Sequence, residues 1–177
     1  MERLRLVLPT AEDKAACLDY RKEFEQFNEV MHGTAGLSHV ESFEAWLKDI
    51  QNSHLEEELT DDRVPATTYL AVTIDTNHLI GMVNIRHRLN DYLKTLGGHI
   101  GYSVRKSERQ RGYATEMLGL ALKQCKTLGI PRVLITCDQD NFASAKTIKN
   151  NQGQLIQSFV HEGTMIEHYW IELELNE

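Results

Sequence analysis

The sequence predicts an α/β fold, a mixed β-sheet covered by helices, and three observations lead to it. Apolar residues recur with a period of about two in some stretches and about 3.6 in others, in the order β-α-α-β-β-β-α-β-α-β-β. The strand-helix-strand-helix run in the second half implies at least one parallel crossover, while the hairpins around it are antiparallel. A chain of 177 residues, 41% of them hydrophobic, is long enough for one compact core and short for two, so residues 1–177 are read as a single domain.

Each element has its own signal. Leu4, Leu6 and Leu8 alternate as a half-buried strand does, and Pro9 stops the pattern. Thr10 and Asp13 then sit where a helix cap and a first-turn acid belong, and Ala16, Tyr20, Phe24, Phe27 and Met31 recur at helical spacing. A break at Gly33 to Gly36 precedes a second short helix carried by Phe43, Trp46, Leu47 and Ile50; the acidic stretch from Glu56 to Asp62 reads as a loop before Pro65. Residues 67–74 and 79–88 are β-rich runs joined by the turn Asp75-Thr76-Asn77-His78, and residues 98–104 form a further strand. From Gly112 the period changes, because Ala114, Met117, Leu118, Ala121, Leu122, Cys125 and Leu128 share one helical face that Gly129 and Pro131 end. A strand at 132–137, a short helix at 143–150 and two late strands at 155–160 and 165–175, expected as a hairpin, complete the chain. There is no internal repeat and no low-complexity stretch.

Composition excludes several functions. A net charge of -7 argues against nucleic acid or an anionic membrane as partner, because both need a broad basic surface. No run reaches the roughly 18 consecutive apolar residues of a membrane helix. The start, Met1-Glu2-Arg3-Leu4-Arg5, lacks the apolar core of a signal peptide, and a cytoplasmic location is expected. Cys17, Cys125 and Cys137 lie in apolar patterns rather than in CxxC pairs and read as reduced, buried residues; the eight histidines form no metal-ligand spacing.

The chemistry concentrates in residues 101–115, GYSVRKSERQRGYAT, where a strand runs through a basic turn into the start of the strongest helix. First-turn amides lack internal partners and carry the positive end of the helix dipole, so they can hold a pyrophosphate. Gly112 allows close backbone approach, Ala114 keeps the next turn small, and Arg105, Lys106, Arg109 and Arg111 place four positive charges in an acidic protein. Neither GxxxxGK[ST] nor GxGxxG is present, which makes ATP and dinucleotides poor candidates.

Arg109-Gln110-Arg111-Gly112-Tyr113-Ala114 resembles the coenzyme A signature of the GCN5-related N-acetyltransferase (GNAT) family, Gln/Arg-x-x-Gly-x-Gly/Ala. Asn141-Phe142-Ala143-Ser144 is similar to that family's Asn-x-x-Ala/Ser helix opening, and Asn150-Asn151-Gln152-Gly153 to its Asn-Gly-Gly closing. The resemblance covers about residues 67–160 and implies a central mixed sheet split into a V between two parallel strands, 98–104 and 132–138, with pantetheine as a pseudo-strand in the opening. Unpaired backbone groups of Tyr102, Ser103 and Val104 would bind its amides. Amides from Gln110 through Arg111, Gly112, Tyr113 and Ala114 to Thr115 would hold the pyrophosphate, with Arg109 opening the motif and the Thr115 hydroxyl assisting. Asn141 and Ser144 would contact pantetheine from the other side; Lys146 and Lys149 read as solvated lysines, with contact of one of them to the adenosine phosphate as the alternative.

The same resemblance implies direct transfer of acetyl from acetyl-coenzyme A to an unidentified small-molecule or peptide amine in a ternary complex. A backbone amide near Val104 is the expected oxyanion donor, His99 the candidate base, and His87 and Arg86 further groups on the acceptor side. The family's usual tyrosine acid falls at Ile148, which leaves Tyr102 or Tyr169 for that role or an unassisted thiolate. Ile148 also keeps open the alternative of a coenzyme A-binding regulatory module with little transferase activity. The acidic run Glu56, Glu57, Glu58, Asp61 and Asp62 reads as a solvated loop in preference to a docking site for cations. The sequence does not fix the oligomeric state and leaves a homodimer open.

Overall fold

The computed structural model describes residues 2–60 and 62–174. Met1, Asp61 and Leu175, each used in the sequence reading, lie outside them. Eleven helices and strands follow in the expected order: β1 (Leu4–Val7), α1 (Lys14–Gln26), α2 (Phe43–Asn52), β2 (Ala66–Thr73), β3 (Leu79–Arg86), β4 (Ile100–Val104), α3 (Tyr113–Thr127), β5 (Arg132–Asp138), α4 (Phe142–Asn150), β6 (Gln154–His161) and β7 (Thr164–Glu172).

The strands form two sheets, one of four in the order β1-β2-β3-β4 and one of three in the order β5-β7-β6. Every ladder among the described residues is antiparallel. The crossover β4-α3-β5 therefore joins two sheets rather than two paired strands. They meet just before β4, where the His99 N–H donates to the Leu134 carbonyl at 2.7 Å. The Leu134 N–H in turn donates to Nδ1 of the His99 ring at 2.9 Å. A ring nitrogen takes the hydrogen bond that a neighbouring strand would have taken, and beyond that point β4 and β5 share no ladder.

Packing explains why the helices sit where they do. A ten-residue helix is marginal by itself, and α2 is held by burying Phe43, Trp46, Leu47 and Ile50, each contributing roughly 2 kcal/mol. Its start is capped by the Ser42 hydroxyl, which accepts the Ala45 N–H. Together with Cys17, Tyr20 and Phe24 of α1 these side chains cover one face of the four-stranded sheet, against Leu70, Val72, Leu79 and Met82. The other face carries α3. Met117 packs on Leu4, Ile80 and Val104, while Leu118, Ala121 and Cys125 reach Val83, Ile85 and Ile100 on one side and Val133, Ile135 and Ile171 on the other. Thus α3 spans both sheets, and residues 105–112 lead from the end of β4 into its first turn.

Helix α1 stops at Gln26, short of the expected Met31. Asn28 turns left-handed at φ 51, and the Glu29 and Asn28 N–H groups donate to the Phe24 and Glu25 carbonyls, which closes the helix in a Schellman motif. Met31 is still buried, but from the loop. The strand expected from residue 98 begins at Ile100, since a π-helical turn at Leu93–Gly97 and a left-handed Gly98, φ 63, lead into it.

Candidate active site

Strand β4 pairs with β3 on one side and, among the described residues, with no strand on the other. The Arg105 N–H donates to the Ile80 carbonyl and the Arg86 N–H to the His99 carbonyl, so odd-numbered residues of this strand face β3. Ile100, Tyr102 and Val104 then direct their backbone groups to the open edge. Ser103 does not. Its backbone is turned to Met82, its carbonyl accepts the Tyr20 hydroxyl at 3.0 Å, and its own hydroxyl donates to the His32 carbonyl at 2.6 Å. The expectation that Ser103 offers unpaired backbone groups is corrected accordingly. At Val104 the carbonyl is occupied by Arg109 Nε at 2.9 Å, which leaves its N–H.

At the far end of β4 the chain turns into α3 through left-handed Gln110 and Gly112, φ 64 and 79. The first helical bond runs from the Glu116 N–H to the Gly112 carbonyl. The N–H groups of Tyr113, Ala114 and Thr115 have no protein acceptor among the described residues. Alternating backbone hands and free amides make a concave anion nest. Gly112 is required there for its φ rather than for room, because a Cβ would meet only Arg3 Nη2, at 3.5 Å. The Thr115 hydroxyl oxygen faces Asn150 Nδ2 at 3.4 Å.

The four basic residues do not act as a free positive cluster. Arg105 pairs with Asp19 and Glu23, Lys106 and Arg109 with Glu29, and Arg111 with Glu108. Four neighbouring carboxylates offset four cations, so attraction for an anion falls to the backbone nest and the helix dipole. Sequence also gave no sign of the clasp at this end: Glu116 accepts the Leu4 N–H at 2.8 Å and Arg3 Nε at 2.9 Å, and the Arg3 guanidinium stacks 4.5 Å from the Tyr113 ring centre.

Across the opening, Tyr102 of β4 reaches α4, its hydroxyl 2.9 Å from that of Ser144. Burial pushes this phenol up to about 12. The Asn141 side-chain oxygen, Oδ1, caps α4 by accepting the Ser144 N–H, and its NH₂ has no acceptor among the described residues. Ile148 is fully buried. Tyr169 is also buried, and its hydroxyl donates to Glu167 at 2.6 Å. Lys146 and Lys149 are exposed and form no ion pair among the described residues.

On the opposite face the α1–α2 loop lies on β4. A Cβ on Gly33, φ 72, would fall 2.3 Å from the Gly101 carbonyl oxygen. Trp46 Nε1 holds this loop through the Thr34 carbonyl at 2.8 Å. The Arg86 guanidinium sits beside Gly101, where a Cβ would lie 3.1 Å from Nη2. His99 is 7% exposed, and burial together with the Arg86 charge lowers its pKa to about 4. Its Nδ1 lone pair, the one a base would use, is already given to Leu134. His87 turns away, bonded to Thr67 at 2.8 Å. Glu56, Glu57 and Asp62 are exposed, with Glu56 paired to Arg88. Among the described residues no three His, Cys, Asp or Glu side chains cluster as metal ligands, and all three cysteines are free and buried.

The family model for an acetyltransferase (GNAT) domain matches residues 3–153. Among curated proteins nothing matches. The solved structures similar to this chain include the ribosomal-protein-S5-alanine acetyltransferase from Vibrio fischeri, at 13% identity and TM-score 0.73, covering 97% of this chain and 94% of that one. RimJ of Mycobacterium smegmatis, in complex with a coenzyme A disulfide, is 16% identical with TM-score 0.71, covering 96% and 81%. An acetyltransferase from Salmonella typhimurium that modifies the N-terminal serine of ribosomal protein L7/L12 is 18% identical with TM-score 0.66, covering 98% and 97%. At these identities the likeness is one of fold.

Proposed function

The chain belongs to the GNAT acetyltransferase family and is an acetyl-coenzyme A-dependent N-acetyltransferase; on that premise we propose direct transfer to a primary amine in a ternary complex, with residues 1–177 acting as one domain. One observation carries the assignment of the donor site: the free amides at the start of α3 lie at the end of the open edge of β4. A diphosphate on a long amide-bearing arm needs those two features in that order. Backbone amides from Gln110 to Thr115 hold the pyrophosphate, the outward backbone groups of Tyr102 hold pantetheine, and the Asn141 NH₂ donates from the other side. Ser103 is left out of this set, and Arg109 and Arg111 shape the turn rather than bind.

Catalysis in this arrangement is mainly alignment. The Val104 N–H is the oxyanion donor. A phenol held at about 12 is a poor acid towards a thiolate whose own pKa lies near 8.5, so Tyr102 assists the leaving sulfur by donating a hydrogen bond and keeps its proton. With the His99 lone pair engaged, water carries the amine proton away. A polypeptide amino terminus, the acceptor named for the Salmonella typhimurium relative, is the first acceptor to try. No helix among the described residues is long and apolar enough to cross a membrane, and the free cysteines support a cytoplasmic location. For the homodimer, the edge strand β6, with Leu155, Ile156 and Val160 exposed, is the proposed seam.

Thiol release from acetyl-coenzyme A, followed with a panel of amines and amino-terminal peptides, tests the reading together with a thermal melt. Acetyl-coenzyme A is expected to raise Tm with concentration and at least one amine to release thiol. A flat Tm up to millimolar ligand, with no release above hydrolysis, overturns it.

A further inference from the structure

We propose that Arg86 determines specificity by binding a carboxylate that the acceptor carries close to its reacting amine; the inference rests on the transferase reading above. The other arginines of the site are neutralised, Arg105 by Asp19 and Glu23, Arg109 by Glu29, and Arg111 by Glu108. Among the described residues no carboxylate lies within 4.0 Å of the Arg86 guanidinium. Its single protein hydrogen bond there is from Nη1 to the Gly97 carbonyl, at 3.2 Å. Nε and Nη2 are left without a protein acceptor, yet among the described residues no side-chain nitrogen fully sealed from water lacks a partner, so both touch open space. A shielded guanidinium with no counter-charge is costly, and two adjacent N–H donors on one edge match the two oxygens of a carboxylate.

Position decides what that carboxylate belongs to. Arg86 projects on the face covered by the α1–α2 loop, opposite α3. Gly101 of β4 has no side chain where the guanidinium lies, since a Cβ there would sit 3.1 Å from Nη2, 3.2 Å from Nη1 and 3.3 Å from the Gly33 nitrogen. The donor is assigned to the open edge of this same strand. An acceptor approaching the thioester across Gly101 passes the free N–H groups of Arg86 on the way. Its protein acceptor is the Gly97 carbonyl, and the Gly33 nitrogen borders the same space over Gly101; neither carries a charge. Pairing with Arg86 also offsets the stabilisation that the acceptor's carboxylate would otherwise give its own ammonium, which eases loss of the amine proton before attack.

Matched acceptors test the assignment. Glycine is compared with glycinamide, and the carboxyl-amidated tripeptide Ser-Glu-Ala with Ser-Gln-Ala, at saturating acetyl-coenzyme A. In at least one pair the acidic member is expected to have a kcat/KM about 10- to 100-fold higher, mostly through KM, the range of a charge-assisted hydrogen bond. A preference within the glycine pair assigns a free α-carboxylate, and one within the peptide pair an acidic side chain. Arg86→Gln should bring the acidic member down to its neutral partner, and Arg86→Lys should restore part of the ratio. Should Arg86→Gln fail to fold, propionate decides with the native enzyme, as it is expected to compete with the acidic acceptor and not with acetyl-coenzyme A. Equal acetylation in both pairs, a preference that survives in Arg86→Gln, or no competition by propionate overturns the proposal while leaving the transferase reading intact. Protection by acetyl-coenzyme A with no acetylation of any amine sinks both.

Discussion

Removing the His99 imidazole leaves the Leu134 N–H buried without an acceptor. His99→Ala is expected to lose about 1–3 kcal/mol in a urea melt. The shape of the pH dependence of kcat/KM should stay the same, because a ring whose pKa is about 4 does not change charge near neutrality. Loss of a histidine-like ionisation in the folded variant would return His99 to the role of base. Gly33→Ala faces two obstacles at once, a left-handed φ of 72 and a Cβ 2.3 Å from the Gly101 oxygen. It should cost about 2 kcal/mol or more and loosen the loop that walls the acceptor side; an unchanged melt would show that the loop does not rest on β4. Single residues were legible where local chemistry decides, as at Asn141, which opens α4 as its cap, whereas Gly112, expected for close approach, is needed for its left-handed φ. Residues were illegible where the partner is remote: the acids that neutralise Arg105 and Arg109 lie 80 to 86 positions away in sequence, and no spacing rule connects them.

Three helices end in the same closure. At α1, α3 and α4 the residues Asn28, Gly129 and Gln152 turn left-handed, with φ 51, 74 and 66, and the bonds Glu29→Phe24, Ile130→Cys125 and Gly153→Ile148 complete the motif. Gly129 accepts that conformation without strain, whereas Gln152 pays roughly 1 kcal/mol for it. Gln152→Gly is therefore expected to raise Tm by about 2–4 °C, and a lower Tm would show that the glutamine side chain makes a compensating contact. This difference also explains which ends could be read from sequence. The Gly129-Pro131 signal placed the end of α3 within a residue, while α1, closed by an asparagine inside a continuing apolar pattern, ran on to Met31. The order of elements and most of the α3 face followed from periodicity, which is a property of contiguous residues, whereas on α1 the expected Ala16 and Phe27 are exposed and Cys17 is buried beside Tyr20 and Phe24. The division into two sheets did not follow from periodicity, because it depends on one imidazole inserted between segments 35 positions apart.

For the whole molecule, the depressed histidine gives stability a definite pH dependence. In the unfolded chain His99 titrates near 6.5 and in the folded protein near 4, so between those values the unfolded state binds more protons. Stability from this group is complete above about 6.5 and is lost as pH falls towards 4. Melts at pH 7.0, 5.5 and 4.5 should show a fall that is absent in His99→Ala after allowing for its lower starting point; parallel falls would assign acid sensitivity to the carboxylates instead. The architecture as a class was visible in the sequence, and so was the line along which the donor should lie. The acceptor wall was not, since it is built by a loop folding back over a distant strand. The two sheets share the packing of α3, but among the described residues their backbones are bonded to each other only where His99 meets Leu134, and this has a mechanical result. Displacement grows with lever arm, so slow scissoring between the sheets should be least at His99 and Leu134 and greatest at Val104 and Asp138. Relaxation dispersion on those amides would map the gradient, and an occupant wedged along the gap should quench it from the open end inward.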